Sequence, residues 1–256
     1  MCSARIRWMN FSRCSDHRSG DEKVMSINTH VLNLCDASAD LNGCWRVLSE
    51  QERERASRFR KNLHRNRWII ARAGMRRLLS QYTDELPAQL EFTEKEFGKP
   101  IFRDEHSARS IHFNLSHSGD LAILAVSHDG PVGIDIEYRR TIPEMERVAR
   151  HFFSNYENDQ LSRMSCQQQL SAFYRCWTRK EAVIKTSGMG LSAQLDAFDV
   201  SLSPEAPADV LQGSHGGFEA AHWHLSSIDV DERYEVSIAS CSGSPVDVKY
   251  KGMYRS

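Results

Sequence analysis

Twice along this chain the apolar spacing runs strand, helix, strand, strand, and the two runs meet near residue 133. That order, with helices and short strands mixed in both halves, points to an α+β fold made of two similar half-size units, a pseudodimer in one chain. In the first run, Ile27 to Leu34 is strand-like. Ser49 and Glu52 then form the S-x-x-E signature of a helix start. Trp68, Ala71, Met75, Leu78, Leu79 and Tyr82 recur at steps of three and four, one apolar helix face. Pro87 ends that region, and Leu90, Phe92 and Phe97 lead to a turn at Gly98-Lys99-Pro100. Ile111–Leu115 and Leu121–Ser127 read as strands joined by a polar turn from Ser116 to Asp120.

The second run follows a hairpin signal at Asp129-Gly130. Val132–Tyr138 is its first strand. Helices are expected over Thr141–Phe153 and Gln167–Thr186, the latter stopping at Ser187-Gly188-Met189-Gly190. Leu195–Leu202, Ala221–Leu225 and Tyr234–Ser240 read as late strands, and Ser203–Gly217 as a loop. The expected division is a tail over 1–26, halves over 27–133 and 134–241, and a C-terminal tail over 242–256. Residues 1–26 show no sustained period, so they are either a disordered tail or a stretch before a true start at Met25.

Composition narrows the setting. The 256 residues suffice for a sizeable core without disulfides or a structural metal. A net charge of −1 excludes a generally basic nucleic-acid protein but not a local basic patch. The longest clean apolar run, Leu121–Val126, cannot span a bilayer. The seven cysteines are odd in number and contain no C-x-x-C pair, which disfavours a disulfide scaffold or a zinc finger. With no apolar segment in the N-terminal stretch, a reducing, cytoplasmic setting is expected.

Four features could carry chemistry. Residues 53–77 hold nine arginines and one lysine against one glutamate, a local net +9. Such one-sidedness attracts polyanions, and by itself it does not separate nucleic acid from a phosphorylated small molecule. In Gly133-Ile134-Asp135-Ile136-Glu137, a strand would turn Asp135 and Glu137 to one face and the two isoleucines to the core. Two adjacent carboxylates are either a solvated acidic edge or a seat for a hard cation such as magnesium. Trp177, Glu181 and Lys185 fall on one helical stripe, where the last two are either a surface pair or buried groups that need partners. Asn114-Leu115-Ser116-His117-Ser118 is either a polar turn or a phosphate cradle. His222 and His224 lack a ligand set, and no P-loop or hydrolase elbow occurs.

GKPIF, FNLSHSGD, VGIDIE, FFS-x-x-E and WTRKEAVIK follow one another in an order and spacing that resembles the 4′-phosphopantetheinyl transferases of the surfactin-synthetase-activator (Sfp) type. The resemblance covers roughly residues 30–240. It implies magnesium-dependent transfer of the phosphopantetheine arm of coenzyme A to a serine of an apo acyl or peptidyl carrier protein, with release of 3′,5′-ADP. It implies magnesium carboxylates at Asp135, Glu137 and Glu181, with Glu157 a further acidic position near the metal. Asp135, Glu181 and Lys185 would be catalytic. Arg55, Arg67, Lys99, Ser116, His117, Lys180 and Lys185 would bind the nucleotide and its phosphates. Carriers of this kind are commonly acidic, so Arg60, Lys61 and Arg65 become candidates for receiving one. A monomer is expected, with no nucleic-acid or membrane partner.

Overall fold

The computed structural model describes residues 24–36, 38–94, 98–103, 111–188, 195–213, 222–242 and 244–254. The expected tail up to residue 23, Phe97, and the Met189-Gly190 pair lie outside these. The first half contains β1 (Met25–Asn33), α1 (Leu41–Val47), α2 (Glu50–Ser57), α3 (Asn62–Leu79), β2 (Phe92–Glu94), β3 (Pro100–Phe102), β4 (His112–Ser118) and β5 (Leu121–Ser127). The second contains β6 (Val132–Tyr138), α4 (Met145–Phe152), α5 (Asn155–Ser162), α6 (Cys166–Ser187), β7 (Phe198–Val200), β8 (Val210–Gly213), β9 (Trp223–Ser227) and β10 (Tyr234–Cys241). A last strand, β11 (Val246–Tyr254), follows.

The mixed α+β architecture and its two similar halves are as expected. Each half builds an antiparallel sheet in the order first strand, last strand, penultimate strand: β1-β5-β4 and β6-β10-β9. One apolar cluster packs α3 on the first sheet through Met75, Leu78, Leu124 and Val126. A second lies between the sheets, where Ile27, Ile123, Ile134, Ile136 and Ile238 meet. A third packs α4–α6 on the second sheet through Phe153, Phe173, Ala182 and Val183. Ile134 and Ile136 therefore face the core, and their strand neighbours Asp135 and Glu137 face α6.

The halves also repeat one polar clamp. In the first, Ser49 caps α2 and Glu52 closes the capping box. Glu52 then accepts from Arg76 of α3 at 2.6 Å, and Arg76 donates to the carbonyls of Pro87 and Leu90 beneath the Phe92 ring. In the second, Ser154 and Glu157 form the capping box of α5. Glu157 pairs with Lys180 of α6 at 2.8 Å, and Lys180 donates to the carbonyls of Leu195 and Phe198 under the Phe198 ring.

Several expectations change. Val246–Tyr254 is not a tail. Its alternating residues make it a strand that pairs parallel with β1, with Val246 and Val248 on the inter-sheet core. Asp129-Gly130 does not make a hairpin, since β5 and β6 belong to different sheets. The polar turn shrinks to Gly119-Asp120, because Ser116, His117 and Ser118 continue β4. Gly119 supplies the required φ of +57°, with Tyr138 and Tyr234 packed against it. Within the expected 203–217 loop, Val210–Gly213 pairs with β7. The helix expected from Thr141 begins at Met145 instead, after Glu144 in a left-handed conformation.

Candidate active site

The site forms where β4, β6 and the C-terminal half of α6 converge. Among the described residues no backbone ladder joins β4 to β6, yet side chains two apart on β4 stitch the strands together. Asn114 accepts from the Ile134 amide at 2.8 Å, Ser116 donates to Asp135 at 2.9 Å, and Ser118 donates to Glu137 at 2.7 Å. Ser118 also accepts from the Tyr138 amide at 3.1 Å. The seam between the halves is therefore polar and carries the acidic residues of β6.

Helix α6 reaches this seam because Gly133 allows it. A Cβ there would sit 2.1 Å from the Ala182 carbonyl and 2.5 Å from the Thr186 amide. Closeness brings Lys185 Nζ to 2.5 Å from Asp135 Oδ1 and 3.0 Å from Ser116 Oγ. Lys99, from the turn before β3, donates to the carbonyls of Lys185 and Val132. A cation at the last turn of α6 also complements the helix dipole. On the stripe expected for α6, Trp177 stacks on Phe173 while Glu181 and Lys185 turn to the seam.

Electrostatically the site is poised for cations and protons. Burial pushes the Glu181 carboxyl above the ordinary range; Lys185 pulls it back, while Asp135 and Glu137 push it further up. Burial likewise raises Glu137, opposed by the Ser118 hydrogen bond and Lys185 and reinforced by Asp135. Among the described residues, Asp135 Oδ2 and Glu181 Oε1 are buried without a hydrogen-bond partner. Leaving such oxygens unpaired costs about 1–3 kcal/mol each, more for a charged group. Among the described residues no three potential ligands stand close enough to form a closed metal shell. The donor set nevertheless fits a hard cation, since all three groups offer oxygen and two oxygens lack any other partner among those residues.

Asp135, Glu137, Glu181, Lys185, Ser116 and Lys99 are thus brought together. Two other expectations fail on geometry. Lys180 is fully buried, and its three donor positions are taken by Glu157 and two carbonyls, so none is left for a phosphate. Glu157 is equally buried, bound to Lys180, the Ser154 amide and the Val200 amide rather than to the acidic seam. His117 is exposed on the opposite face of β4 from Ser116, as strand alternation requires. Arg67 is tied to Asp120 of the β4–β5 turn and to Cys35. Arg55 pairs with Glu94 at 2.8 Å beside Trp68. Together with Arg72, Phe92 and Arg103 it lines a groove of about 810 Å³.

Sequence reading offers Asn114 and Ser118 only as part of a polar turn or phosphate cradle, not as the stitch to β6, and gives Gly133 no role in the site. The signal was available in the alternation Asn114, Ser116, Ser118, since three polar residues on one strand face mark a face that meets polar groups.

Buried carboxylates and a lysine gathered between two repeated halves do little for stability, and perturbed groups of this kind mark chemistry. Such groups, on a duplicated α+β fold, are of the kind an acid–base enzyme would use. Comparison with known proteins makes the class specific. A model described as the 4′-phosphopantetheinyl transferase superfamily matches residues 131–239, and one described as 4′-phosphopantetheinyl transferase, N-terminal, matches 36–129. The chain is 34% identical to the 4′-phosphopantetheinyl transferase HetI of Nostoc sp., over 84% of this chain and 89% of that protein. It is 32% identical to Sfp of Bacillus subtilis, over 77% and 83% of the two chains. It is 34% identical to AcpT of Escherichia coli, over 71% and 77%. The chain belongs to the 4′-phosphopantetheinyl transferase family and is a transferase.

Proposed function

We propose that this enzyme moves the 4′-phosphopantetheine arm of coenzyme A onto a serine hydroxyl of an apo carrier protein, releasing 3′,5′-ADP, with magnesium at the seam. The observation that carries the reading is the convergence of Asp135, Glu181, Lys185 and Ser116, with two buried carboxylate oxygens lacking partners among the described residues. Asp135, Glu137 and Glu181 would hold the metal, which when bound neutralises the negative charge of the pyrophosphate.

The chain's own residues do the rest. Two of the three Lys185 donors engage Ser116 and Asp135, so the third is available to a phosphoryl oxygen, where charge builds as the bond breaks. Lys99 and Ser116 would orient the phosphates. Arg55 and its groove would take the nucleotide end, with Arg67 and His117 on the approach. Glu181 accepts the serine proton as the serine oxygen bonds to the phosphorus nearest the pantetheine and the bridging oxygen leaves with 3′,5′-ADP. Its burial suits that task, because a carboxyl raised above its ordinary range is a stronger base.

The direct test incubates the chain with coenzyme A, magnesium and an apo carrier and weighs the carrier. A gain of one phosphopantetheine is expected, and an unchanged mass removes the proposal. Glu181→Gln should lower turnover by about 10²–10⁴-fold with unchanged circular dichroism. Turnover near that of the wild type would remove Glu181 from the proton transfer.

A further inference from the structure

The basic run 53–77 divides into two populations. Most of its cations are committed. Arg53 donates to the carbonyls of Trp45 and Arg46. Arg55 pairs with Glu94, Arg58 with Glu54, Arg67 with Asp120, and Arg72 and Arg76 with Glu52. Arg77 lies against Cys44. Arg60, Lys61 and Arg65 have no acidic partner among the described residues. They sit at the α2–α3 connection and the first turn of α3, which contains no acidic residue. Between them Leu63 is 53% exposed, and His64 is exposed as well.

Shape separates these cations from those of the nucleotide groove. Arg55, Arg72 and Arg76 line a concavity with Trp68 and Phe92, the form a small ligand needs. Arg60, Lys61 and Arg65 flank an exposed leucine in the chain at the start of α3 and do not line that groove, a pattern that suits a macromolecular contact with an apolar centre and a charged rim. The location is also informative. Arg67, on the same helix just beyond Arg65, holds Asp120, and the adjacent Ser118 holds Glu137. The patch therefore sits at the start of the helix whose Arg67, two residues beyond Arg65, holds the β4–β5 turn.

We propose that this end of α3, with Arg60, Lys61 and Arg65 flanking Leu63, is the docking surface for an acidic protein face, that of the carrier delivering its serine to the seam. The proposal rests on the transfer activity given above. Rim charges of this kind govern encounter rate and its salt dependence more than the chemical step.

The test has two arms. In the kinetic arm, the Lys61→Glu/Arg65→Glu double variant should lose about tenfold in kcat/KM for an acidic carrier. Its kcat and its KM for coenzyme A should stay at wild-type values. The wild-type kcat/KM should fall as salt rises, and that of the variant should fall less. Leu63→Ser should weaken docking without changing the salt slope. In the binding arm, anisotropy follows a labelled carrier whose acceptor serine is replaced by alanine, without coenzyme A. Salt-sensitive binding that the double variant loses supports the surface even if no carrier is loaded, whereas an unmodified wild-type carrier speaks against the transfer reading alone. Wild-type carrier binding and kcat/KM in the double variant overturn the docking surface. A raised KM for coenzyme A in that variant also overturns it and returns the cations to the nucleotide. Tighter binding of a DNA duplex than of the carrier would overturn it in favour of nucleic acid.

Discussion

At the scale of single residues, Lys180 and Lys185 show how two lysines five positions apart on one helix take different work. Lys185 is partly exposed at the seam, with one donor left over. Lys180 is enclosed, with its charge matched by Glu157 and its remaining donors matched by carbonyls. Removing one partner of a buried pair leaves the other charge uncompensated, at about 3–5 kcal/mol. Lys180→Met should therefore lower unfolding stability by that order in urea titrations, and Glu157→Leu alone should do the same. The double replacement should recover much of the loss, because it leaves no lone charge. A nucleotide ligand would behave differently: Lys180→Met would keep its stability and lose affinity for coenzyme A. Lys185→Met supplies the contrast, with stability changed little and turnover strongly reduced.

At the scale of elements, the site depends on how closely α6 lies on β6. Gly133 faces the Ala182 carbonyl and the Thr186 amide, both backbone, so neither can swing aside. Gly133→Ala must move the helix. The shift would carry Glu181 and Lys185 away from Asp135, and a misplacement of about 1 Å can cost on the order of 10²-fold in rate. The variant should therefore fold with reduced stability and lose turnover far beyond that loss, as paired thermal melts and rate measurements would reveal. Wild-type rates in Gly133→Ala would mean that the close approach does not position the site. The elements themselves were largely legible. The apolar pattern located β1, β5, β6, α6 and β10 to within a few residues and found the buried face of α3; β5 was legible as an unbroken apolar run, which the fold buries on both faces. What local pattern could not convey was pairing. Gly119-Asp120 and Asp129-Gly130 look alike as turns, yet one closes a hairpin and the other passes between sheets. Likewise Glu157 and Lys180 match site motifs by position, and only the third dimension gives them to each other rather than to a ligand.

At the scale of the whole molecule, the repeat raises the question of what closes its open ends. In the second half, the outer edge of β6 meets β4 across the polar seam. The corresponding edge of β1 would lie bare, since β5 occupies its other side. Strand β11 fills that place, paired parallel from Met25↔Val246 to Leu32↔Tyr254. It also seals the inter-sheet core with Val246 and Val248. Its charges suit a strand that itself becomes the edge, since Asp247, Lys249 and Lys251 are all exposed. Deleting residues 245–256 should therefore do more than remove surface. It would expose the unpaired backbone of β1 next to apolar Met25 and Ile27, a template for a second copy. The truncated chain should elute as a dimer or larger species by light scattering, with a lowered melting temperature, while the intact chain does not. A peptide spanning residues 244–256, added in trans, should restore the size distribution by taking back the edge. A truncated chain as stable as the full one, unchanged in size and indifferent to the peptide, would mean that β1 needs no cover.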